Sequence, residues 1–184
     1  MQKIKIGVMG SAGKDNSKVG EEAKKLAFEV GKAIAEKDCI LLNGACPGLP
    51  EEAAKGAKSK NGFTVGISPG HNLKEHKELY KMPDEALDVI IFTGFGFKGR
   101  NVITIRASDA IITIGGGIGT LNEFTIAFDE GKVIGVLEGS GGISDELKDI
   151  IEKCGKTTSG RVIFEKEPKA LVEKVLQTVK ERLE

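Results

Sequence analysis

The alternation of short apolar runs with longer stretches of 3.6-residue periodicity does most to limit what this chain can fold into. Ile4–Met9, Cys39–Asn43, Phe63–Ser68, Val89–Thr93, Ala110–Ile114, Val133–Leu137 and Arg161–Phe164 each have strand length. Between the first two, Val19–Lys37 gathers Ala23, Leu26, Ala27, Val30, Ala33 and Ile34, while Glu21, Lys24, Lys25 and Lys32 take other faces, which predicts an amphipathic helix. Further helices are expected at Glu51–Lys60, Lys98–Ala107, Leu121–Glu130, Ser144–Lys153 and Pro168–Leu183. Ile111–Ile114 and Val89–Phe92 are apolar at successive positions, as expected of strands with helices over both faces. The expected class is α/β: a doubly wound, mainly parallel sheet of about seven strands with helices on both faces.

At 184 residues, without a linker, repeat or low-complexity tract, the chain is expected to form one domain over residues 1–184. Lysine plus arginine balance aspartate plus glutamate at 27 each, so the footprint of a nucleic-acid or anionic-membrane binder is missing and neither partner is expected. No apolar run approaches the ~20 residues of a membrane span and the N-terminus runs straight into a strand, so a cytoplasmic protein is expected. Cys39, Cys46 and Cys154 are odd in number and lack ligand spacing, which argues against a disulfide framework or a zinc site. The polar excursion from Gly70 to Pro83 reads as a surface loop. Its His71 and His76, five residues apart, read as solvated rather than as metal ligands, and no metal site is expected.

In a doubly wound sheet the chemistry gathers where strands end and helices begin, because unpaired N–H groups there face anions. The first such turn, Gly7–Ser17, has neither Walker A nor GxGxxG spacing; Gly10, Ser11 and Gly13 are candidate ligand contacts, and a plain strand-to-helix turn is the alternative. The second, Asn43–Pro50, offers Gly44 and Gly48. Its Cys46 has no histidine nearby in sequence and reads as inert. The third is the most informative: Gly115, Gly116, Gly117 and Gly119 are four glycines in five positions after an apolar strand, which lets backbone amides close around a phosphate, and Thr120 adds a hydroxyl. Glu123 follows. Thr120-x-x-Glu123 also matches a capping box, and both readings stand. Upstream, Arg100 follows Gly99 and could bring a guanidinium to the same crevice, a surface salt bridge being the alternative, with Asn101 beside it.

Together these residues resemble the LOG-type (LONELY GUY) Rossmann-like proteins, once labelled lysine decarboxylases, over nearly the whole chain from Lys3 to about Val179. Gly115–Glu123 matches that family's Pro-Gly-Gly-x-Gly-Thr-x-x-Glu turn except that Gly115 stands in place of Pro. Arg100 matches the Arg of its Arg-Lys pair, and Asn101 replaces the Lys. The second turn also departs from the family's glycine pattern. In these respects the chain resembles the branch that includes molybdenum cofactor carrier proteins, where Arg-Asn and Gly-Gly-Gly-x-Gly-Thr-x-x-Glu are usual.

For LOG enzymes the resemblance implies cleavage of the N-glycosidic bond of a nucleoside 5′-monophosphate, with Arg100 and Glu123 as catalytic residues, the glycine turn on the phosphate, and no cofactor. For the carriers it implies that a phosphorylated pterin, the molybdenum cofactor, is bound and passed on with no bond broken. In both cases the expected partner is a small phosphate-bearing molecule, and the resemblance implies a homodimer or homotetramer. A nicotinamide dehydrogenase is disfavoured by the missing GxGxxG register, and no lysine has a recognisable pyridoxal-phosphate context.

Overall fold

The computed structural model describes residues 2–13 and 20–183. Val19, the expected first residue of the first helix, and Lys14 to Ser17 of the first turn lie outside that range. The elements run β1 (Lys5–Gly10), α1 (Glu21–Glu36), β2 (Ile40–Asn43), α2 (Leu49–Lys58), β3 (Thr64–Ser68), β4 (Val89–Phe92), α3 (Gly96–Ala107), β5 (Ala110–Ile114), α4 (Ile118–Asp129), β6 (Val133–Leu137), α5 (Gly142–Cys154), β7 (Arg161–Glu165) and α6 (Pro168–Leu183). All seven strands pair in parallel in the order β4-β3-β2-β1-β5-β6-β7. This is the Rossmann-like α/β sheet that the sequence predicts.

Each face of the sheet carries its own core. Ile6, Val8, Ile112 and Ile114 pack with α1, α2 and α6, whereas Met9, Ile111, Ile134 and Val136 pack with Ile105 of α3, Phe124 and Phe128 of α4 and Leu147 of α5. Consecutive apolar residues therefore serve opposite layers, which is why the central strands read as unbroken apolar runs. Among the described residues no helix is long and apolar enough to cross a membrane.

Two expectations need correcting. β4 is an edge strand, and its Val89 and Ile91 are exposed at 42% and 47%, so one face has no helix over it. The segment after β3 is not uniformly solvated: Glu75–Leu79 forms a π-helical turn, and His76 within it is fully buried. Its Nδ1 lies 3.0 Å from Ser68 Oγ and its Nε2 3.1 Å from the Pro83 carbonyl, so the ring ties both ends of the loop to the sheet. His71 is exposed, as expected.

The direction in which successive strands are added reverses between β1 and β5. Strands β2 to β4 are added on one side and β6 and β7 on the other, which opens a crevice at the carboxyl ends of the two central strands. Gly10 and Ile114 are register partners there, so the turns after β1 and β5 leave the sheet side by side.

Candidate functional site

That crevice holds a cavity of about 350 Å³, within the ordinary range for small-molecule sites. Its walls come from the first turn (Gly10 to Gly13), the second turn (Gly44, Cys46), the first turns of α3 and α4, and the Arg100–Glu123 pair. Of the expected site residues, Gly10, Ser11, Gly13, Gly44, Arg100, Asn101, Gly117, Gly119, Thr120 and Glu123 line it. Gly48, Gly115 and Gly116 do not.

Those three glycines shape the walls from behind. Gly115 and Gly116 lie at φ +53° and +90°, a region that an L side chain rarely enters and proline cannot reach. Their amides are already engaged: Gly115 N donates to Ser140 Oγ at 2.8 Å and Gly116 N to Ser11 Oγ at 3.2 Å. Ser144 closes the same turn by donating from its N and its Oγ to the Gly115 carbonyl, at 3.0 and 2.8 Å. Gly48, at φ +85°, brings α2 to the first turn, where Leu49 N donates to the Ser11 carbonyl at 3.0 Å. Asn43 braces the second turn, accepting from Ala45 N and donating to the Pro50 carbonyl, both at 2.8 Å.

The turn after β5 then delivers an uncapped helix start. Gly117 is the N-cap of α4 and gives no side-chain cap, and the first turn contains no acid. Leu121 N closes onto the Gly117 carbonyl at 2.9 Å; the amides of Ile118, Gly119 and Thr120 find no hydrogen-bond acceptor among the described residues. A Cβ on Gly117 would meet nothing within 4 Å, and one on Gly119 would meet only Lys98 Nζ at 4.0 Å. A helix start with no internal acceptor for its first amides, room beside Gly117 and Gly119 and an ammonium near Gly119 is an arrangement suited to an anion.

The capping-box reading of Thr120 and Glu123 does not hold. α4 begins at Ile118, three residues before the expected Leu121, so Thr120 is already inside the helix and Glu123 lies on its second turn. Glu123 is buried, and Arg100 Nη1 stands 3.7 Å from its Oε1. Burial pushes the Glu123 carboxyl up to about 7, against the opposing pull of Arg100 and then Lys98. The guanidinium does not win because 3.7 Å is too long for a hydrogen bond. Asn101 completes the group: with its amide nitrogen turned toward acceptors, it donates to the Phe97 carbonyl at 2.9 Å and to Glu123 Oε1 at 3.2 Å.

Arg100 is buried rather than paired at the surface. Its guanidinium covers Gly44 so closely that any side chain there would collide with it, and its Nε has no hydrogen-bond partner among the described residues. An unpaired buried guanidinium N–H is costly. Cys46 lines the cavity, but burial raises its thiol to about 11 despite Arg100, so it stays protonated and inert, as its sequence context suggests.

Lys98, Phe97, Met9 and Pro50 also line the cavity and were not among the residues expected there. Lys98 had left a signal. A lysine in the first turn of a helix opposes the helix dipole, and α3 carries no acid in that turn to offset it.

The sequence model of the SLOG cluster4 family (LDcluster4) matches residues 3–172. An uncharacterised protein of Archaeoglobus fulgidus is 41% identical over 138 residues, 75% of this chain and 82% of that one. A cytokinin riboside 5′-monophosphate phosphoribohydrolase of Mycobacterium tuberculosis is 33% identical over 111 residues, 60% of this chain and 56% of that protein. The chain therefore spans about half the length of that relative. Among solved structures, the molybdenum cofactor carrier protein of Chlamydomonas reinhardtii superposes with a TM-score of 0.79 at 29% identity, covering 97% of this chain and 99% of that one. The molybdenum cofactor binding protein of Rippkaea orientalis gives 0.75 at 30% identity, covering 100% and 99%.

Proposed function

The chain belongs to the SLOG cluster4 family, and from that premise we propose that its cavity binds a phosphate-bearing nucleotide of the nucleoside 5′-monophosphate type and hydrolyses its N-glycosidic bond. The observation that carries this reading is the buried Glu123, held near neutrality 3.7 Å from Arg100, in a cavity that also contains the open start of α4. The phosphate sits on the amides of Ile118 to Thr120 with Lys98 beside it. Arg100 orients the ligand and Glu123.

In the reaction, a water oxygen bonds to C1′ while the C1′–N bond breaks and its electron pair leaves on the base. Ionised Glu123 accepts the proton of the water, and the base takes up a proton from solvent. A carboxyl near 7 is matched to this task at neutral pH, because a useful fraction is ionised while its affinity for a proton remains high. No cofactor is needed. The direct test is base release from nucleoside monophosphates. Glu123→Gln is expected to lower it by at least ~100-fold while leaving ribose 5-phosphate affinity nearly unchanged, since the amide keeps the shape but cannot take the proton. Equal turnover by parent and variant contradicts the assignment.

A second reading has its own support. The carrier and cofactor-binding structures match this chain end to end, whereas the phosphoribohydrolase matches over 60% of it. In that reading a phosphorylated pterin, the molybdenum cofactor, occupies the same cradle and Glu123 tunes affinity only. Native mass spectrometry that finds an intact ligand, with no base released from any nucleotide, selects it. In either case we infer a homodimer or homotetramer, because Val89, Ile91 and Phe95 leave apolar surface on the β4 edge and the loop after it. Light scattering that gives a monomer mass overturns this.

A further inference from the structure

The phosphate cradle accounts for one end of a ligand and says nothing of the other. Among the described lining residues, Phe97 is the sole aromatic, and it is 43% exposed although it sits on a cavity wall. An aromatic ring left partly exposed on the wall of a ligand-sized cavity keeps its capacity to stack. It is also held in place. The Tyr80 ring meets it edge to face, with centroids 5.3 Å apart and an interplanar angle of 86°.

Tyr80 is in turn fixed by the segment between β3 and β4. It follows the π-helical turn, and its N donates to the Glu75 carbonyl at 2.9 Å. Buried His76 ties that turn to Ser68 and Pro83. The same segment grips the chain leading into α3: Gly94 N donates to the Gly70 carbonyl at 3.0 Å and Gly96 N to the Pro69 carbonyl at 3.1 Å. A loop that the ligand-binding reading leaves without a role thus braces the turn that carries Phe97, Lys98 and Arg100.

We infer that Phe97 is the stacking platform for a flat heteroaromatic ring at the far end of the ligand from its phosphate, with Tyr80 as the positioning residue that sets the angle of the platform. The inference rests on the phosphate-binding reading and adds that the ring, as well as the phosphate, is recognised. Adjacent positions of α3 divide the work: Lys98 answers the phosphate, Phe97 the ring.

The test is calorimetric titration of parent, Phe97→Leu, Phe97→Tyr, Tyr80→Leu and Lys98→Ala with adenosine 5′-monophosphate and with ribose 5-phosphate, which lacks the ring. Phe97→Leu is expected to weaken the nucleotide about ten-fold, the scale of one base–aromatic stack, and to leave ribose 5-phosphate unchanged. Phe97→Tyr restores nucleotide affinity, Tyr80→Leu gives a smaller loss of the same selective kind, and Lys98→Ala weakens both ligands. Nucleotide affinity unchanged in Phe97→Leu, or an equal loss for both ligands, overturns the platform. A parent that binds both ligands equally overturns it too while leaving the phosphate cradle standing. A parent that binds neither overturns both.

Discussion

The turns after β5 and β6 are made of the same material and end differently. Both are glycine-rich and bend at positive φ, Gly115 and Gly116 in one and Gly139, Gly141 and Gly142 in the other, and both lead into a helix. After β6, Asp145 folds back and accepts from Gly139 N at 2.7 Å and Gly141 N at 3.0 Å, so the chain supplies its own anion. After β5 the first helical turn carries no acid, the amides of Ile118 to Thr120 have no acceptor among the described residues, and Lys98 adds a positive charge. Glycine makes either turn sterically able to hold an anion; the missing carboxylate leaves one of them available to a ligand. The same contrast runs through the other helices. α1 carries Glu21 and Glu22 in its first turn, α2 carries Glu51 and Glu52, and Glu167 accepts from the first amides of α6. α3 and α4 have neither an acid there nor a side-chain cap, and both begin at the cavity.

The largest expected effect comes from forcing the turn after β5 toward the Pro-bearing pattern. Gly115→Pro replaces φ +53° with a ring fixed near −65° and removes the N–H that Ser140 accepts. It is expected to cost about 3 kcal/mol or more in urea unfolding. An unaltered midpoint would show that this turn is not held as described.

The next effect reads the buried acid. Burial raises the Glu123 carboxyl from 4.5 to about 7, so the folded state holds its proton more tightly than the unfolded chain does. That contribution to stability is complete below about pH 4.5 and is lost as pH rises through about 7. The parent should therefore lose on the order of 2 kcal/mol between pH 5 and pH 8. Glu123→Gln should flatten that slope, and parallel slopes in the two proteins contradict a carboxyl whose burial outweighs its neighbours.

The smallest pair of effects sets the two turns directly against each other. Gly119→Val aims its branches into the cavity at a position of ordinary φ, and should weaken ribose 5-phosphate by about ten-fold with little change in Tm. Asp145→Ala should do the reverse, lowering Tm by a few degrees while affinity stays the same. Loss of affinity in the Asp145 variant alone would exchange the roles of the turns.

Strands and layers were legible because burial on both faces writes unbroken apolar runs, and Ala110–Ile114 and Val133–Leu137 match to the residue. Neighbour order is not written that way. Val89–Phe92 has the composition of a central strand, and only the sheet order makes it an edge. His76 was hidden by its polar neighbours, since sequence does not reveal that one ring of the segment turns inward onto Ser68. At the site, glycine spacing pointed to the α4 start, but Thr120-x-x-Glu123 imitates a cap until the helix is seen to begin at Ile118. Which glycines touch ligand space and which only bend the chain depends on long-range partners such as Ser140 and Ser144, and these carry no local signal.

Amide chemical-shift mapping of the labelled protein with ribose 5-phosphate tests the central claim most directly, because it reads both turns in one spectrum. The account predicts that the amides of Gly117 to Thr120 move in a saturable manner while those of Gly139 and Gly141, already bonded to Asp145, hold still. Saturable movement at Gly139 to Gly142 with none at Gly117 to Thr120 would contradict it.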